Sequence, residues 1–167
     1  MNKLIALTCF LIFPCILFAG DEINNSENRL FHVERSKNRN IVCYDVKIIN
    51  NFLDKEPVDV YWINMEEKAG EKSGLSNLQK KLAFGYKLIT KGSESADIAL
   101  NACPNRKMKI CKNGNKFECI IDICNQAAIL QKIFVKTKDK NHIKVEYVEL
   151  TGVNLASGEL INEKIYN

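Results

Sequence analysis

Apolar and polar residues alternate along much of the chain, and a period of two is typical of β-strands whose two faces meet different surroundings. The clearest run, 42–48, predicts a strand with one buried face and one face in water. The residues expected on its buried face are Val42, Tyr44, Val46 and Ile48. A second run, 58–62, alternates in the same way and places Trp62 on its buried face. Weaker runs recur up to residue 166, with turn residues between them.

One segment departs from this pattern and predicts a short amphipathic helix. Ser76 and Gln79 have the spacing of a capping box, in which each side chain bonds the backbone N–H of the other residue. Apolar residues then repeat every three to four positions, and Gly85 can end the helix. The expected apolar face holds Leu75, Leu78, Leu82 and Tyr86. These patterns predict a mainly β fold: an antiparallel β-barrel or sandwich of about 8–10 strands with one short amphipathic helix.

Two turn motifs specify hairpins. Asn113-Gly114 is a strong signal for a type I′ turn, because both central residues of that turn need a positive φ. A turn centred there pairs Met108 with Cys119 and puts Cys111 on the opposite face of the hairpin. The second motif, 154–158, predicts a turn with Gly158 in the left-handed region, which joins the last two strands.

The register of the first hairpin also predicts a disulfide. Extended outward, it places Cys103 opposite Cys124 as a non-hydrogen-bonded pair, whose Cα separation of about 4.5 Å suits a disulfide. The bond would contribute on the order of 3 kcal/mol. Cys119 is expected in the core, whereas Cys43 and Cys111 are expected to be outward-facing thiols that pair only if their strands are neighbours.

The first twenty residues predict a secretory signal peptide. Lys3 precedes an apolar run broken by Pro14, small residues follow, and the chain then becomes polar. The run is short for a membrane span, which takes roughly twenty apolar residues, and no later segment is apolar enough for one. We therefore expect residues 1–20 to be removed, residues 21–28 to form a flexible leader and residues 29–167 to form one β-rich domain. The mature protein would be periplasmic or secreted.

Composition narrows the function classes. The 167 residues carry a net charge of +4, which is too small and too scattered to indicate a nucleic-acid partner. Seven cysteines suggest disulfides or metal binding, but Cys9 and Cys15 belong to the signal peptide and no Cys-x-x-Cys motif is present. We therefore expect no metal and no cofactor. A retained N-terminal anchor and lipidation of Cys15 are the alternatives to signal cleavage.

Candidate catalytic residues are few. His32 and His142 are the two histidines of the chain, and the sequence has no nucleophile elbow, phosphate-binding loop or zinc-protease motif. A Cys–His nucleophile pair is combinatorially possible, but no pattern selects one cysteine. These observations favour a protein that is not an enzyme.

The polar segment 34–40 is a candidate binding surface. It carries three cations and two amide side chains within seven residues. Such a segment can hold a phosphate or a carboxylate through charge-assisted hydrogen bonds, or it can be a solvated hairpin loop.

Four segments together resemble a known family. They are LFHVERSKNRN at 30–40, YD at 44–45, VYWI at 60–63 and QKKLAFGY at 79–86. In this order they resemble the bacterial exported family catalogued as domain of unknown function 4833, over roughly residues 29–166. The resemblance implies a single exported envelope domain and transfers no reaction.

These observations lead to a functional hypothesis, because a β-barrel or sandwich of this kind often encloses a cavity. We expect a non-enzymatic ligand-binding or interaction module of the bacterial envelope, whose partner is an unknown small ligand or an envelope protein. The expected ligand contacts are Arg35, Asn38, Lys81 and Tyr86. The alternatives are an envelope hydrolase that uses His32 with a nearby acid or thiol, and a structural scaffold domain.

Overall fold

A computed structural model describes residues 26–66, 69–138 and 141–166, without the side chains of residues 141–143. The expected signal peptide at residues 1–20 and residues 21–25 of the expected leader lie outside the described residues. Most of the described chain forms one strongly curled mixed sheet, a half-barrel, which is accompanied by one short helix. The mainly β fold predicted from the alternation is confirmed.

The sheet has eleven strands within the described residues. In chain order they are β1 (Arg29–Arg35), β2 (Asn38–Ile49), β3 (Phe52–Ile63), β4 (Lys72–Gly74), β5 (Tyr86–Lys91), β6 (Ser95–Leu100), β7 (Lys107–Asn113), β8 (Lys116–Ile123), β9 (Gln126–Lys138), β10 (Asn141–Asn154) and β11 (Leu160–Tyr166). Their order across the sheet is β4-β3-β2-β1-β9-β8-β7-β6-β5, and β10 and β11 continue from β9.

One strand pair, β1 with β9, is parallel, whereas the prediction contained antiparallel pairs alone. This pairing is possible because β9 is long. Its first residues pair with β8 and its later residues, from Lys132 to Val135, pair with β1. β10 pairs with β9 in antiparallel orientation, and β11 extends the sheet from β10.

The half-barrel is incompletely closed between β3 and β5, a line that we call the seam. At one end of the seam, Leu53 N–H donates to Ser93 O at 2.8 Å. At the other end, the Tyr86 hydroxyl accepts from Val58 N–H and donates to Val58 O, both at 3.2 Å. The phenol of Tyr86 therefore supplies the donor and the acceptor that a neighbouring strand would offer to β3.

The main core lies inside the curled sheet and confirms most of the predicted strand faces. Val42, Tyr44 and Val46 are at most 5% exposed, although Ile48 lies beyond the core and is 38% exposed. The prediction that the opposite face of β2 is exposed to water is wrong. Cys43, on the outer face, is fully buried, because it packs in a second small apolar cluster of the described residues: Ile41, Cys43, Tyr61 and Ile63.

The capping box of the helix is confirmed. Ser76 Oγ accepts from Gln79 N–H at 3.2 Å, and Gln79 Oε1 accepts from Ser76 N–H at 2.9 Å. The helix, α1, has one α-helical turn over Asn77–Gln79 and continues as a π-helix over Lys80–Phe84. Its N-terminus is therefore encoded locally, as the sequence indicated.

The predicted apolar face of α1 is wrong at its two central positions, although Tyr86 at its end is half-buried and packs against the main core. Leu75 is buried as expected, but Leu78 and Leu82 are 66% and 64% exposed. The π-helical turn is wider than an α-helical one and changes which residues face the sheet, so Phe84 is buried instead.

The hairpin of β7 and β8 forms with a register that differs from the prediction by two residues. Asn113 pairs with Lys116, so the turn consists of Gly114 and Asn115, and Gly114 has a positive φ of 60°. A glycine at the first central position is typical of a type II′ turn. A shift of two residues keeps every side chain on its predicted face, since the period of a strand is two.

The predicted disulfide is not formed, and the register that supported it is wrong. Cys103 precedes β7, and Cys124 lies in the turn between β8 and β9 with a φ of 52°. The cysteines of the described residues are all free. Cys119 is buried as predicted, whereas Cys43 and Cys111 lie on strands that are not neighbours.

The second predicted turn is confirmed. Gly158 has a φ of 72° and donates its N–H to Asn154 O at 2.9 Å. The Asn154 side chain accepts from the N–H groups of Ala156 and Ser157, at 2.7 and 3.0 Å. The turn joins β10 and β11 into a hairpin. No helix among the described residues is long and apolar enough to cross a membrane.

Candidate functional site

The half-barrel contains a partly open cavity of about 590 Å³. Interior side chains of β1, β2, β7, β8 and β9 form its floor, and the hairpin of β10 and β11 forms another wall. These side chains lie together on the inner face of the curled sheet because alternate residues of a strand point to the same face. The floor residues, each at most 7% exposed, include Val33, Tyr44, Met108, Ile121 and Ile133. The cavity therefore offers a mainly apolar surface.

Tyr44 is a polar residue of the floor, and its hydroxyl already has a partner. The hydroxyl donates to Phe84 O at 2.7 Å, and its ring stacks on that of Phe31 with 4.3 Å between the centroids. Burial raises the pKa of Tyr44 above its usual value, so the phenol stays neutral. Tyr44 thus links the floor to α1.

The C-terminal half of α1 closes one side of the cavity with Leu82, Ala83 and Phe84. The ring of Phe84 packs edge-on against Trp62, with 5.1 Å between the centroids, which places Trp62 with the core as predicted. Gly85 follows directly, and a Cβ there would lie 2.1 Å from Lys80 O. The wall therefore depends on the close approach of two backbone segments.

Two arginines, Arg35 and Arg106, line the cavity, and the charge of Arg106 is compensated. The guanidinium of Arg106 donates to both carboxylate oxygens of Glu163, at 3.2 and 2.5 Å, and to Asp122 O. The hydrogen bond from Arg106 lowers the pKa of Glu163, which keeps the carboxylate ionised. This ion pair also ties β11 to the segment before β7.

Arg35, in contrast to Arg106, has no compensating partner among the described residues. It is half-buried at the end of β1, where its Cα pairs with Val135 on one side and with Asn38 on the other. Among residues 26–66, 69–138 and 141–166, no hydrogen bond or ion pair of its side chain is present. The neighbouring Glu34 instead pairs with Lys132 at 3.5 Å. Arg35 therefore brings an uncompensated positive charge to an apolar cavity.

The predicted ligand contacts fall into two separate places. Arg35 and Asn38 are partners across the hairpin of β1 and β2, and the buried Oδ1 of Asn38 has no hydrogen-bond partner among the described residues. Lys81 and Tyr86 line a second, more open cavity of about 540 Å³ at the seam. The four residues thus do not form one site.

The seam cavity is polar and partly structural. Its lining includes Lys47, Lys55, Lys80 and Lys81 together with Glu56 and Asp59. Lys47 contacts the carboxylates of Asp54 and Glu56, at 3.5 and 3.9 Å. The hydroxyl of Tyr86 is used to hold Val58, and burial raises its pKa. The charges of this cavity are therefore partly balanced within the chain.

The outer face of β1, β2 and β3 carries a buried polar cluster. Arg29 Nε contacts Asp45 Oδ1 at 2.5 Å, and the hydroxyl of Tyr61 donates to Asp45 Oδ2 at 2.5 Å. The ammonium of Lys72 lies 4.6 Å from the centroid of the Tyr61 ring. The charges of Arg29 and Asp45 compensate each other, so this cluster ties the strands together.

His32 and Cys43 are partners across β1 and β2 on the same outer face. Burial lowers the pKa of His32, whose Nε2 lies 3.1 Å from Glu34 Oε1. Burial raises the pKa of the Cys43 thiol to about 11, so the thiol is protonated at neutral pH. The pair therefore combines a buried imidazole with a buried, neutral thiol. Among the described residues, no group of His, Cys, Asp and Glu side chains could hold a metal ion.

The family of the chain follows from a comparison with family models. A model described as Domain of unknown function (DUF4833) matches residues 31–164. The chain belongs to this family. The DUF4833 match runs from β1 into β11 and so includes the strands that form the cavity, and it confirms the resemblance seen in the sequence. Searches of curated proteins and of solved structures found no match.

Arg106 is a charged cavity residue that the sequence pattern did not single out. It follows Pro104 in a polar segment, and nothing in its neighbourhood indicates that Glu163 would lie beside it. The two residues are 57 positions apart, so the pairing depends on long-range strand order. Leu82 was assigned to the helix face that packs on the sheet, whereas it lines the cavity.

Proposed function

We propose that the protein is a non-enzymatic binding module that holds a mainly apolar small molecule in the cavity of the half-barrel. The observation that carries the proposal is the combination of a partly open cavity of about 590 Å³ with a floor of buried apolar side chains. Ligand sites of small molecules usually have volumes of about 300–1,000 Å³ and mainly apolar walls. The cavity falls in this range.

The chemistry of the lining supports an apolar ligand. Each methylene group that a ligand transfers from water to such a surface contributes about 0.8 kcal/mol. The hydroxyl of Tyr44 and the guanidinium of Arg106 already have partners in the protein. These groups therefore offer little to a ligand that is polar throughout.

The state of the candidate catalytic residues also supports binding over hydrolysis. His32 and Cys43 lie on the outer face of the sheet, away from the cavity floor, and they are 7% and 0% exposed. A nucleophilic thiol has to be ionised and within reach of its substrate. The buried Cys43 thiol, with its raised pKa of about 11, meets neither condition.

We further propose that the protein is exported and works in the periplasm or outside the cell. The support is the pattern of residues 1–20: a basic start, an apolar run, small residues and a polar continuation. Export would place the module where small molecules from the environment or the envelope are encountered.

One purification tests both proposals. The whole sequence is expressed, the envelope and medium fractions are purified without detergent, and native mass spectrometry reports the N-terminus and any retained small molecule. We expect a chain that starts near residue 21 and carries a retained apolar molecule, or a ligand-free chain that binds Nile red, a neutral apolar dye. A protein that starts at Met1 in the cytoplasmic fraction would contradict export.

A matched pair of variants locates the binding. Val148→Trp places a large ring at a half-buried position of the cavity wall, whereas Lys109→Trp places the same ring on the exposed face of β7. We expect the first variant to abolish most Nile red binding and the second to bind like the parent. Equal binding by both folded variants, or no binding by the parent, would overturn the proposed site.

A further inference from the structure

Arg35 marks one end of the apolar cavity with a charge that the described residues do not compensate. The charge of the second arginine of the cavity, Arg106, is compensated, because both of its terminal nitrogens donate hydrogen bonds to the carboxylate of Glu163. The nearest acidic residue in sequence, Glu34, contacts His32 and Lys132 instead. A ligand can supply the partner that Arg35 lacks.

A neutral apolar ligand fills this cavity less favourably than a ligand with an anionic end group. By filling the space it would remove water from the inner side of Arg35 and leave the guanidinium without a partner, which is unfavourable for a charge in apolar surroundings. An anionic end group restores the lost interactions. The planar guanidinium suits groups that offer two oxygens side by side.

The position of Arg35 also defines the orientation of such a ligand. Arg35 lies level with Val135, Val148 and Ile165, which pair in turn across β9, β10 and β11. Ile165 lines the cavity and is 36% exposed, whereas Ile133, two residues further in along β9, is 7% exposed. Arg35 therefore lies toward the open rim, and the apolar floor lies deeper.

We infer that the ligand of this cavity is an amphipathic molecule with one apolar chain and one anionic end group, a carboxylate or a phosphate monoester, bound by Arg35 at the rim. The apolar chain extends over the floor between the sheet and the hairpin of β10 and β11. This ligand class presupposes the proposed binding function and adds the chemistry of its polar end.

Displacement of Nile red by decanoate, decyl phosphate and decanol tests the inference, because the three share one chain and differ in the end group. We expect an anionic compound to bind about tenfold to a hundredfold more tightly than decanol, as charge-assisted hydrogen bonds of a guanidinium imply. The stronger of the two anions identifies the end group. Equal binding of all three would overturn the inference and leave the proposed function standing, whereas displacement by none of them would overturn both.

Variants assign the effect to Arg35. Arg35→Gln should reduce the preference for the anion over decanol to about twofold or less, chiefly because the anion loses its partner and binds more weakly. Arg35→Lys should retain part of the preference, since it keeps the charge and loses the planar fork. Lys37→Gln removes one positive charge from the exposed turn next to Arg35 and should behave like the parent. An unchanged preference in Arg35→Gln, or an equal loss in Lys37→Gln, would overturn the inference.

Discussion

Gly85 ends α1, although its φ of −72° is open to any residue. A glycine is needed here because there is no room for a side chain: a Cβ would lie 2.1 Å from Lys80 O. The Gly85 N–H donates a hydrogen bond to that same oxygen at 2.9 Å. We expect Gly85→Ala to open the last turn of α1 and to lower the free energy of unfolding by about 1–3 kcal/mol, as overpacking usually does. Urea unfolding followed by circular dichroism measures the change.

Gly74 provides the matched control at the residue scale. It lies in β4, and no atom is within 4 Å of the place of its Cβ. Gly74→Ala should therefore change the free energy of unfolding by less than about 0.5 kcal/mol. Similar losses in the two variants would show that the close approach at Lys80 is not the cause.

At the scale of elements, the Tyr86 hydroxyl holds one end of the seam between β3 and β5, and the hydrogen bond from Leu53 to Ser93 holds the other. Tyr86→Phe removes the hydroxyl that satisfies both backbone groups of Val58 on that edge. Net contributions of about 0.5–1.5 kcal/mol per hydrogen bond predict a loss of about 1–2 kcal/mol in the free energy of unfolding. Amide hydrogen exchange adds a local measurement, in which the Val58 amide should exchange faster.

Tyr147→Phe is the control for the seam. Within the described residues, the hydroxyl of Tyr147 makes no hydrogen bond, so its removal should leave stability and the exchange rate of Val58 nearly unchanged. If Tyr86→Phe leaves the Val58 amide as protected as in the parent, the seam is held by the contact of Leu53 with Ser93 and not by the phenol.

The hairpin of β7 and β8 shows which part of an element can be read from its sequence. The alternation correctly assigned Met108 and Cys119 to the core and Cys111 to the other face. The register was wrong because a turn at Asn113-Gly114 and a turn at Gly114-Asn115 produce the same faces. The hydrophobic pattern cannot distinguish two registers that differ by two residues.

At the scale of the whole molecule, the pair of Arg106 and Glu163 holds β11 against the segment before β7. Glu163 also accepts from Cys124 N–H at 2.9 Å, so one carboxylate joins three parts of the chain. Its pKa is lowered in the folded state, chiefly by the hydrogen bond from Arg106. The pair therefore contributes stability above the unfolded-state pKa, and this stability is lost as pH falls through the lower, folded-state pKa.

We expect Glu163→Gln to lower the free energy of unfolding at neutral pH by about 1 kcal/mol, since both side chains are partly exposed. The difference from the parent should shrink as the pH becomes acidic, because the parent carboxylate is then protonated as well. Unfolding curves recorded at several pH values measure this difference in the free energy of unfolding. Glu149→Gln, on the neighbouring strand and 4.0 Å from Lys164, is the control and should have a smaller effect. A loss that is independent of pH would contradict the electrostatic origin.

The candidate site could be predicted only in part. The sequence identified Arg35 and Asn38 as binding candidates from the polar segment 34–40, and the structure places them opposite each other in one hairpin. It also grouped Lys81 and Tyr86 with them, but these two lie at the seam. Their separation depends on how far the sheet curls, which no local pattern records.

The sequence alone determined which residues share a strand face, the capping box at Ser76, the turn that ends at Gly158 and the family of the chain. These features depend on residues that are neighbours along the chain or on a periodic need to avoid water, so local composition encodes them. Only the tertiary structure decided that β1 pairs in parallel with β9, that β10 and β11 close a cavity and that Arg35 is left without a partner within the described chain. Strands with similar alternation can pair in many orders, and the choice among them rests on the sum of long-range contacts.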